Sequence, residues 1–201
     1  MRKMIDTTLV EVLSMTWPTL LIAIVLVATI RIGYLLKHRD EFIFYKEILY
    51  LCFMLYILCL FQLVTAEDLN ATNGNNFTLF SEIFRYQFGG RLFFKNIIGN
   101  VLLFIPYGFF ACYYVDLKSF FKALGLIFAA SLSIEFTQLL IGRVFDVDDI
   151  LLNVIGGMIG YFIYNILRKL VNRFKFLKNE IVLNVLTVLV LFLGILFLVW
   201  R

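Results

Sequence analysis

The sequence is poor in the residues on which soluble proteins depend. Charged residues make up only 16% of its 201 positions and hydrophobic residues 62%, and the mean hydropathy is +0.94. This composition excludes a soluble globular domain and indicates a polytopic membrane protein. The net charge of +4 comes from basic residues between apolar segments. Because no Lys- or Arg-rich arm or nucleic-acid-binding motif accompanies it, we predict no nucleic-acid partner.

Histidine and cysteine are scarce as well. His38 is the single histidine and lies in a charged loop, which argues against a histidine-based metal centre or a Ser-His-Asp triad. Cys52, Cys59 and Cys112 fall within apolar segments without C-x-x-C spacing, so we interpret them as small apolar side chains. We predict no metal ion and no cofactor.

What the sequence has in abundance is long apolar runs. A membrane-spanning helix needs about 20 apolar residues, and six stretches approach this length. They are about Trp17–Leu36, Tyr45–Ala66, Asn96–Val115, Phe120–Gly142, Ile150–Leu167 and Ile181–Trp200. The sequence therefore predicts an all-α fold, a polytopic transmembrane helical bundle of about six spans.

Basic residues between the spans predict the orientation. The fifth connection carries Arg168, Lys169, Arg173, Lys175 and Lys178, whereas the fourth carries only Arg143. Basic loops stay in the cytoplasm, so we expect the second and fourth connections outside a bacterial plasma membrane. The long second connection, Glu67–Lys95, becomes aromatic in its second half, which favours an interfacial helix at the outer surface.

The polar residues of the membrane segments gather at the outer ends of spans three, four and five. Pairs three or four residues apart share a helix face: Asn96 with Asn100, Glu135 with Gln138, and Asp149 with Asn153. The candidate binding residues are Arg91, Asn96, Asn100, Glu135, Gln138, Arg143, Asp146, Asp149 and Asn153. No catalytic residue is assigned, although Glu135 is the candidate.

Glu135 is the centre of this group because of its depth. It lies seven residues before Gly142, about 10 Å along a helix, whereas the hydrocarbon half-thickness is about 15 Å. A carboxylate in that outer leaflet costs on the order of 2–3 kcal/mol. It needs a cation such as Arg91, Lys95 or Arg143, or amide donors, or it is protonated. One interpretation is a polar pocket open to the outer leaflet, and the other is a Glu that fastens helices together.

The aspartates beside Glu135 allow several interpretations. Asp146 and Asp149 are candidates for capping the N-terminus of the next helix. For Asp148 a solvated loop charge is one interpretation among others. Carboxylates are suitable ligands for Ca²⁺ or Mg²⁺, but their spacing matches no EF-hand loop. Gly156 and Gly160 form a small-xxx-small stripe on the same helix, which predicts close helix packing.

These residues carry a family likeness. The stretches "NIIGNVLLFIPYGFF" and "SIEFTQLLIGRVFDVDDILLNVIGG" resemble the VanZ-like family of bacterial membrane proteins, over roughly residues 42–167. The family pattern has Asn and Gly before a Pro-containing span, then E-x-x-Q, then R-x-x-D-x-x-D-x-x-x-N-x-x-G. One departure is visible: the family often has N-L-x-P-F before span three, and "NFTLF" at 76–80 lacks the proline.

The resemblance implies a domain organisation and a role. Residues 42–167 would form the VanZ-like membrane domain, 1–41 an accessory helix, and 168–201 a cytoplasmic basic loop with a last helix. The family's namesake is associated with resistance to teicoplanin-type glycopeptides, which act at the outer membrane face. The expected partner is a membrane lipid, a lipid-linked envelope precursor or the antibiotic itself. The oligomeric state is not predicted.

Four hypotheses stay open at this point. The first is a non-enzymatic membrane protein that alters the response of the cell surface to lipoglycopeptides. The second is an intramembrane enzyme acting on a lipid-linked substrate, with Glu135 as general acid or base. The third, a transporter, lacks a pair of broken helices, and the fourth is a structural scaffold.

Overall fold

The computed structural model describes residues 18, 21–37, 42–65, 75–90 and 92–199. Most residues in these ranges are helical, and their one β-like feature is an isolated bridge between Asn76 and Asp146. The prediction of an all-α membrane bundle is therefore confirmed. The helices are α1 (21–37), α2 (Phe44–Thr65), α3 (Ser81–Arg85), α4 (Gly99–Val115), α5 (Phe120–Leu140), α6 (Val147–Arg173) and α7 (Glu180–Val199). A π-helical segment, Phe93–Ile98, runs into α4, and a 3₁₀ turn, Lys175–Lys178, precedes α7.

The number of spans differs from the prediction of about six. In the described part of the chain, four helices are long and apolar enough to cross a membrane. They are Phe44–Val64, Asn96–Val115, Phe120–Leu140 and Val147–Arg173. The first and last predicted spans coincide with α1 and α7, whose described apolar portions are shorter: residues 21–37 and Glu180–Gly194. A bilayer crossing needs about 20 such residues, so four spans are counted among the described residues, and not about six.

The chain divides into two compact units. One is Leu60–Arg168, and the other combines Met1–Cys59 with Lys169–Arg201. Within the second unit the Arg31 guanidinium contacts both carboxylate oxygens of Glu47 at 2.9 Å. The predicted boundaries at residues 41 and 167 stay a prediction.

The unit Leu60–Arg168 is built on α4, α5 and α6, which run up, down and up. Its core contains Phe104, Cys112, Ala123, Ile127, Met158 and Tyr161. Large apolar side chains such as Phe121 and Leu140 point outward, whereas Ser131, Glu135 and Asn153 are buried. An apolar exterior around buried polar groups is the arrangement that a lipid solvent favours.

Glycines allow α4 and α6 to touch backbone to backbone. A Cβ at Gly156 would overlap the carbonyl oxygen of Val101, and one at Gly160 would overlap that of Ile105. On the facing helix, a Cβ at Gly108 would overlap the carbonyl of Gly157. The close packing predicted from the small-xxx-small stripe is confirmed.

An exposed ion cluster lies where α4 ends and α5 begins. Asp116, in the left-handed region at φ 50°, receives Lys118 Nζ at 3.2 Å and Arg168 Nη1 at 3.0 Å. The hydrogen bond from Lys118, with the Arg168 charge nearby, holds the pKa of Asp116 below its usual range. Tyr161 adds a bond from its hydroxyl to the Lys118 carbonyl at 3.1 Å. Because α4 and α5 are antiparallel, these charges mark the end of the bundle opposite Asn100 and Glu135.

The close contact of α4 with α6 predicts that a single methyl group added to α6 strongly destabilises the protein. We expect Gly160→Ala to destabilise the protein by more than about 2 kcal/mol, because overpacking against a backbone carbonyl cannot relax by a rotamer change. Gly125→Ala on α5 is the matched control, since nothing lies within 4 Å of its Cβ position. Thermal unfolding in detergent, followed by size-exclusion chromatography, measures both. Equal midpoints for the two variants would contradict the packing of α4 on α6.

Candidate functional site

Polar side chains from four parts of the chain meet at one end of the unit Leu60–Arg168. The polar cluster consists of Asn76, Asn100, Ser131, Glu135, Gln138, Asp146, Asp148, Asp149 and Asn153. On α5, Ser131, Glu135 and Gln138 follow a spacing of four and three, and all three are buried. The antiparallel course of α4, α5 and α6 brings the start of α4, the end of α5 and the start of α6 together, as the sequence predicts.

Glu135 is the acid that α5 contributes to the polar cluster. Its side chain is 2% exposed, and its Oε2 accepts a hydrogen bond from the backbone N–H of Asp146 at 3.1 Å. Arg143 and Asp146 are the charged groups that interact with it electrostatically. A backbone N–H is a partner that a sequence motif does not reveal, since every non-proline residue carries one.

The turn that supplies this donor begins with a helix C-cap. Gly142 adopts the left-handed region at φ 83°, and the N–H of Arg143 donates to the carbonyl of Gln138 at 2.8 Å. This is the bond of a Schellman motif, in which glycine tolerates the positive φ. The Arg143 guanidinium then donates from Nη1 to the carbonyl of Val64 at 2.7 Å. Arg143 therefore joins the end of α2 to the loop between α5 and α6.

Asp146 is the hub of that loop. Its Oδ1 accepts from the N–H of Asp148 at 2.8 Å and from Asn76 Nδ2 at 2.8 Å. The first bond is that of an N-cap, because α6 begins at Val147 and its early N–H groups lack partners within the helix. Of the two cap candidates, Asp146 has this role, and Asp149 lies in the first turn of α6.

Asn76 binds the outer segment to this loop with both its backbone and its side chain. Its N–H donates to the Phe145 carbonyl at 2.8 Å, and its carbonyl accepts from Val147 N–H at 3.2 Å. Its Oδ1 accepts from Thr78 N–H at 3.0 Å and from Ser81 Oγ at 2.8 Å. We call this set of contacts the clasp. The "NFTLF" element thus holds its place without the family's proline.

Asp148 completes the clasp from α6. Its side chain is 0% exposed, and its Oδ1 accepts from the N–H of Phe80 at 2.5 Å. The interpretation of Asp148 as a solvated loop charge was wrong. The sequence could not reveal the contact, since its donor is a backbone group 68 residues away.

The helices are joined beneath the clasp by amide side chains. Asn100 Nδ2 on α4 donates to Asp149 Oδ1 on α6. Asn153 Nδ2 donates to Ser131 Oγ at 3.1 Å, and that hydroxyl donates to the Ile150 carbonyl at 3.5 Å. Ser131, which the sequence analysis did not select, therefore links α5 to α6.

Two candidate residues fall outside this arrangement. Asn96 Nδ2 donates to the hydroxyl of Tyr86 at 2.7 Å, away from the acids. It lies in the π-helical segment, whose i→i+5 bonds disturb the i,i+4 relation to Asn100 on which the prediction depended. Arg91 lies outside the described residues. No group of three or more His, Cys, Asp and Glu among the described side chains is arranged to hold a metal ion.

The fold and the polar cluster define a class: a helical multi-pass membrane protein with acidic groups buried at one end of its central bundle. A family model described as VanZ/LLP1 matches residues 45–168, more than half of the chain. The chain belongs to the VanZ-like family, as the sequence motifs indicated. No curated protein and no solved structure matches it.

The contacts of the clasp predict that loss of the Asn76 side chain allows the outer segment to open. Asn76→Ala removes a donor from Asp146 and an acceptor from Thr78 and Ser81, a loss of about 1–3 kcal/mol. Chymotryptic cleavage among the phenylalanines of residues 77–88 should accelerate by at least about tenfold, since cleavage follows the opened fraction. Thr78→Ala is the control, because it truncates a neighbouring side chain of the same segment and leaves the Thr78 N–H, which Asn76 Oδ1 accepts, in place. Equal cleavage of both variants would show that the side chain of Asn76 does not hold the segment.

Proposed function

We propose that this VanZ-like protein lies in the bacterial plasma membrane with the polar cluster on the extracytoplasmic side. There it modulates the response of the cell surface to teicoplanin-type lipoglycopeptides by binding a lipid, a lipid-linked envelope precursor or the antibiotic's head group. The observation that carries the proposal is the burial of Glu135 at the same end of the bundle as three aspartates.

A simple helix fastener would not require this chemistry. Amide and hydroxyl pairs such as Asn153 with Ser131 already join the helices, at far lower desolvation cost than a buried carboxylate. Four carboxyl groups at one end of a bundle supply acceptors for the hydroxyl and ammonium groups of a head group. Arg143 adds a guanidinium, which suits phosphate or carboxylate.

The orientation follows from the distribution of charge around the bundle. The end opposite the polar cluster carries Lys118, Lys122 and Arg168, and α6 continues to Arg173. At the other end, the loop between α5 and α6 carries only Arg143, while Arg85, Arg91 and Lys95 are spread along the long connection before α4. Basic residues are retained on the cytoplasmic side, which supports an extracytoplasmic polar cluster.

Cysteine labelling tests this orientation. In a background with Cys52, Cys59 and Cys112 replaced by alanine, Thr78→Cys should react with a membrane-impermeant maleimide in intact cells. Lys122→Cys, which is also exposed but lies at the opposite end, should react only after the membrane is permeabilised. The reverse pattern would place the polar cluster in the cytoplasm and end the proposed role at the cell surface.

The burial of Glu135 also favours a second candidate, an intramembrane enzyme that uses this carboxyl group as general acid or base. One feature weighs against it. The Ser131 hydroxyl lies one helical turn before Glu135. It already donates to the Ile150 carbonyl and accepts from the Asn153 amide, and so it joins helices. Binding without turnover is therefore the better-supported function.

Glu135→Gln tests whether the carboxyl group matters. The amide oxygen can still accept from the Asp146 N–H, so we expect packing to persist while the charge is lost. The native chain, expressed in a sensitive Gram-positive host, should raise the teicoplanin concentration needed to stop growth by at least about fourfold, a readily resolved change worth under about 1 kcal/mol. Glu135→Gln should abolish this protection.

Ser133→Ala is the control on the same helix, because the Ser133 side chain is exposed and bonds only locally to the Ala129 carbonyl. All chains are compared at equal membrane levels. Equal protection by native and Glu135→Gln chains would show that Glu135 only fastens helices. Absence of protection by the native chain would refute the glycopeptide role.

A further inference from the structure

The outer segment carries a groove that the polar cluster does not use. It has a volume of about 350 Å³ and lies where the turn after α3 meets the π-helical segment. Its walls are Arg85, Tyr86, Gln87, Gly90, Leu92 and Phe93. This volume is at the lower end of the range of small-molecule sites, about 300–1,000 Å³. A groove of this size suits a lipid head group.

Local contacts hold the groove in shape. Gly89 adopts φ 79°, and the N–H of Gly90 closes a turn onto the Gln87 carbonyl at 2.9 Å. The Tyr86 hydroxyl is held by Asn96 Nδ2 at 2.7 Å. These bonds tie the groove to the first turns of a spanning helix, and the clasp holds the preceding segment at Phe80.

Two exposed phenylalanines are neighbours in the chain of residues that line the groove, and one of them packs on a groove residue. Phe84 is 83% exposed and Phe88 is 88% exposed, and the Phe88 ring packs on Phe93 with centroids 4.9 Å apart. The span Asn96–Val115 begins eight residues after Phe88 and twelve after Phe84, so both phenylalanines are close in the chain to the membrane boundary. Rings at that level contact the acyl chains just below the head groups.

The positive charge of the groove complements the phosphate groups of the lipid head groups, which lie above those rings. Arg85 lines the groove and is exposed. A guanidinium forms short, charge-assisted bonds to phosphate oxygens. Arg85 also has a contact within the protein, but its five N–H donors allow it to serve more than one acceptor.

We propose that this groove binds the phosphate of an anionic glycerophospholipid of the surrounding leaflet. Arg85 contacts the phosphate, and Phe84 and Phe88 contact the acyl chains. The clasp then contributes to lipid binding as well as to stability, because it holds the lipid-binding segment against α6. The inference is independent of any role in antibiotic response, since lipid binding is measured on the purified protein.

Native mass spectrometry of the full chain in detergent tests the proposal. Dioleoyl phosphatidylglycerol is titrated against dioleoyl phosphatidylcholine. The native chain should prefer the anionic lipid by at least about tenfold, because the quaternary ammonium of phosphatidylcholine offsets the phosphate charge and is repelled by the Arg85 guanidinium. Arg85→Gln should lose this preference. Arg173→Gln, an exposed arginine at the end of α6, should keep it. Phe84→Ser should weaken binding of both lipids about equally.

Three outcomes would overturn the proposal. The native chain could show no preference for phosphatidylglycerol, or Arg85→Gln and Arg173→Gln could lose it equally, which would indicate diffuse charge attraction. Inorganic phosphate at millimolar concentration could displace the lipid fully, which would make the groove a site for free phosphate. The thermal midpoints of Arg85→Gln and Arg173→Gln are measured as well, since Arg85 has a contact within the protein. A loss of lipid preference in Arg85→Gln that exceeds any shift of its midpoint reports the lipid contact and not the fold.

Discussion

The contacts of Asp146 hold the upper end of the bundle together. One oxygen of its carboxylate caps α6 and receives Asn76, while its own N–H reaches down to Glu135. The loop that carries it therefore connects the outer segment, α5 and α6 through a single residue. In a membrane this connection is especially important for stability, because a polar group that loses its partner near the hydrocarbon region has no water to replace it.

Backbone packing lower in the bundle makes these contacts possible. Gly156 and Gly160 let α6 lie directly on the carbonyl groups of α4. At that separation Asn100 reaches Asp149 with a direct hydrogen bond. Along α6, the small residues thus bring the helices close, and the polar pairs fix their register. Other membrane bundles are similar, because burial of apolar surface provides little driving force in lipid.

The acids of the polar cluster are mostly enclosed, and this affects how the protein would act on its surroundings. Asp148 and Glu135 accept bonds from Phe80 and from Asp146, so their charges shape the outer segment as well as offering a site. The exposed side chains of that segment include Phe77, Phe84, Phe88 and Arg85. Buried carboxylates that position this exposed aromatic segment are consistent with the proposed role at the extracytoplasmic leaflet.

The sequence by itself determined the helical membrane class, the family, the face shared by Glu135 and Gln138, and the small-residue stripe of α6. These depend on composition and on spacing within one helix, which the printed residues contain. Tertiary structure alone decided that Asp148 is buried, that Asn76 belongs to the polar cluster, and that Asn96 does not join Asn100. Each of these depends on a partner far along the chain, on a backbone N–H that every residue type supplies, or on a π-helical turn that shifts the phase of a helix. Periodicity cannot encode such contacts, because they exist only when the folded helices meet.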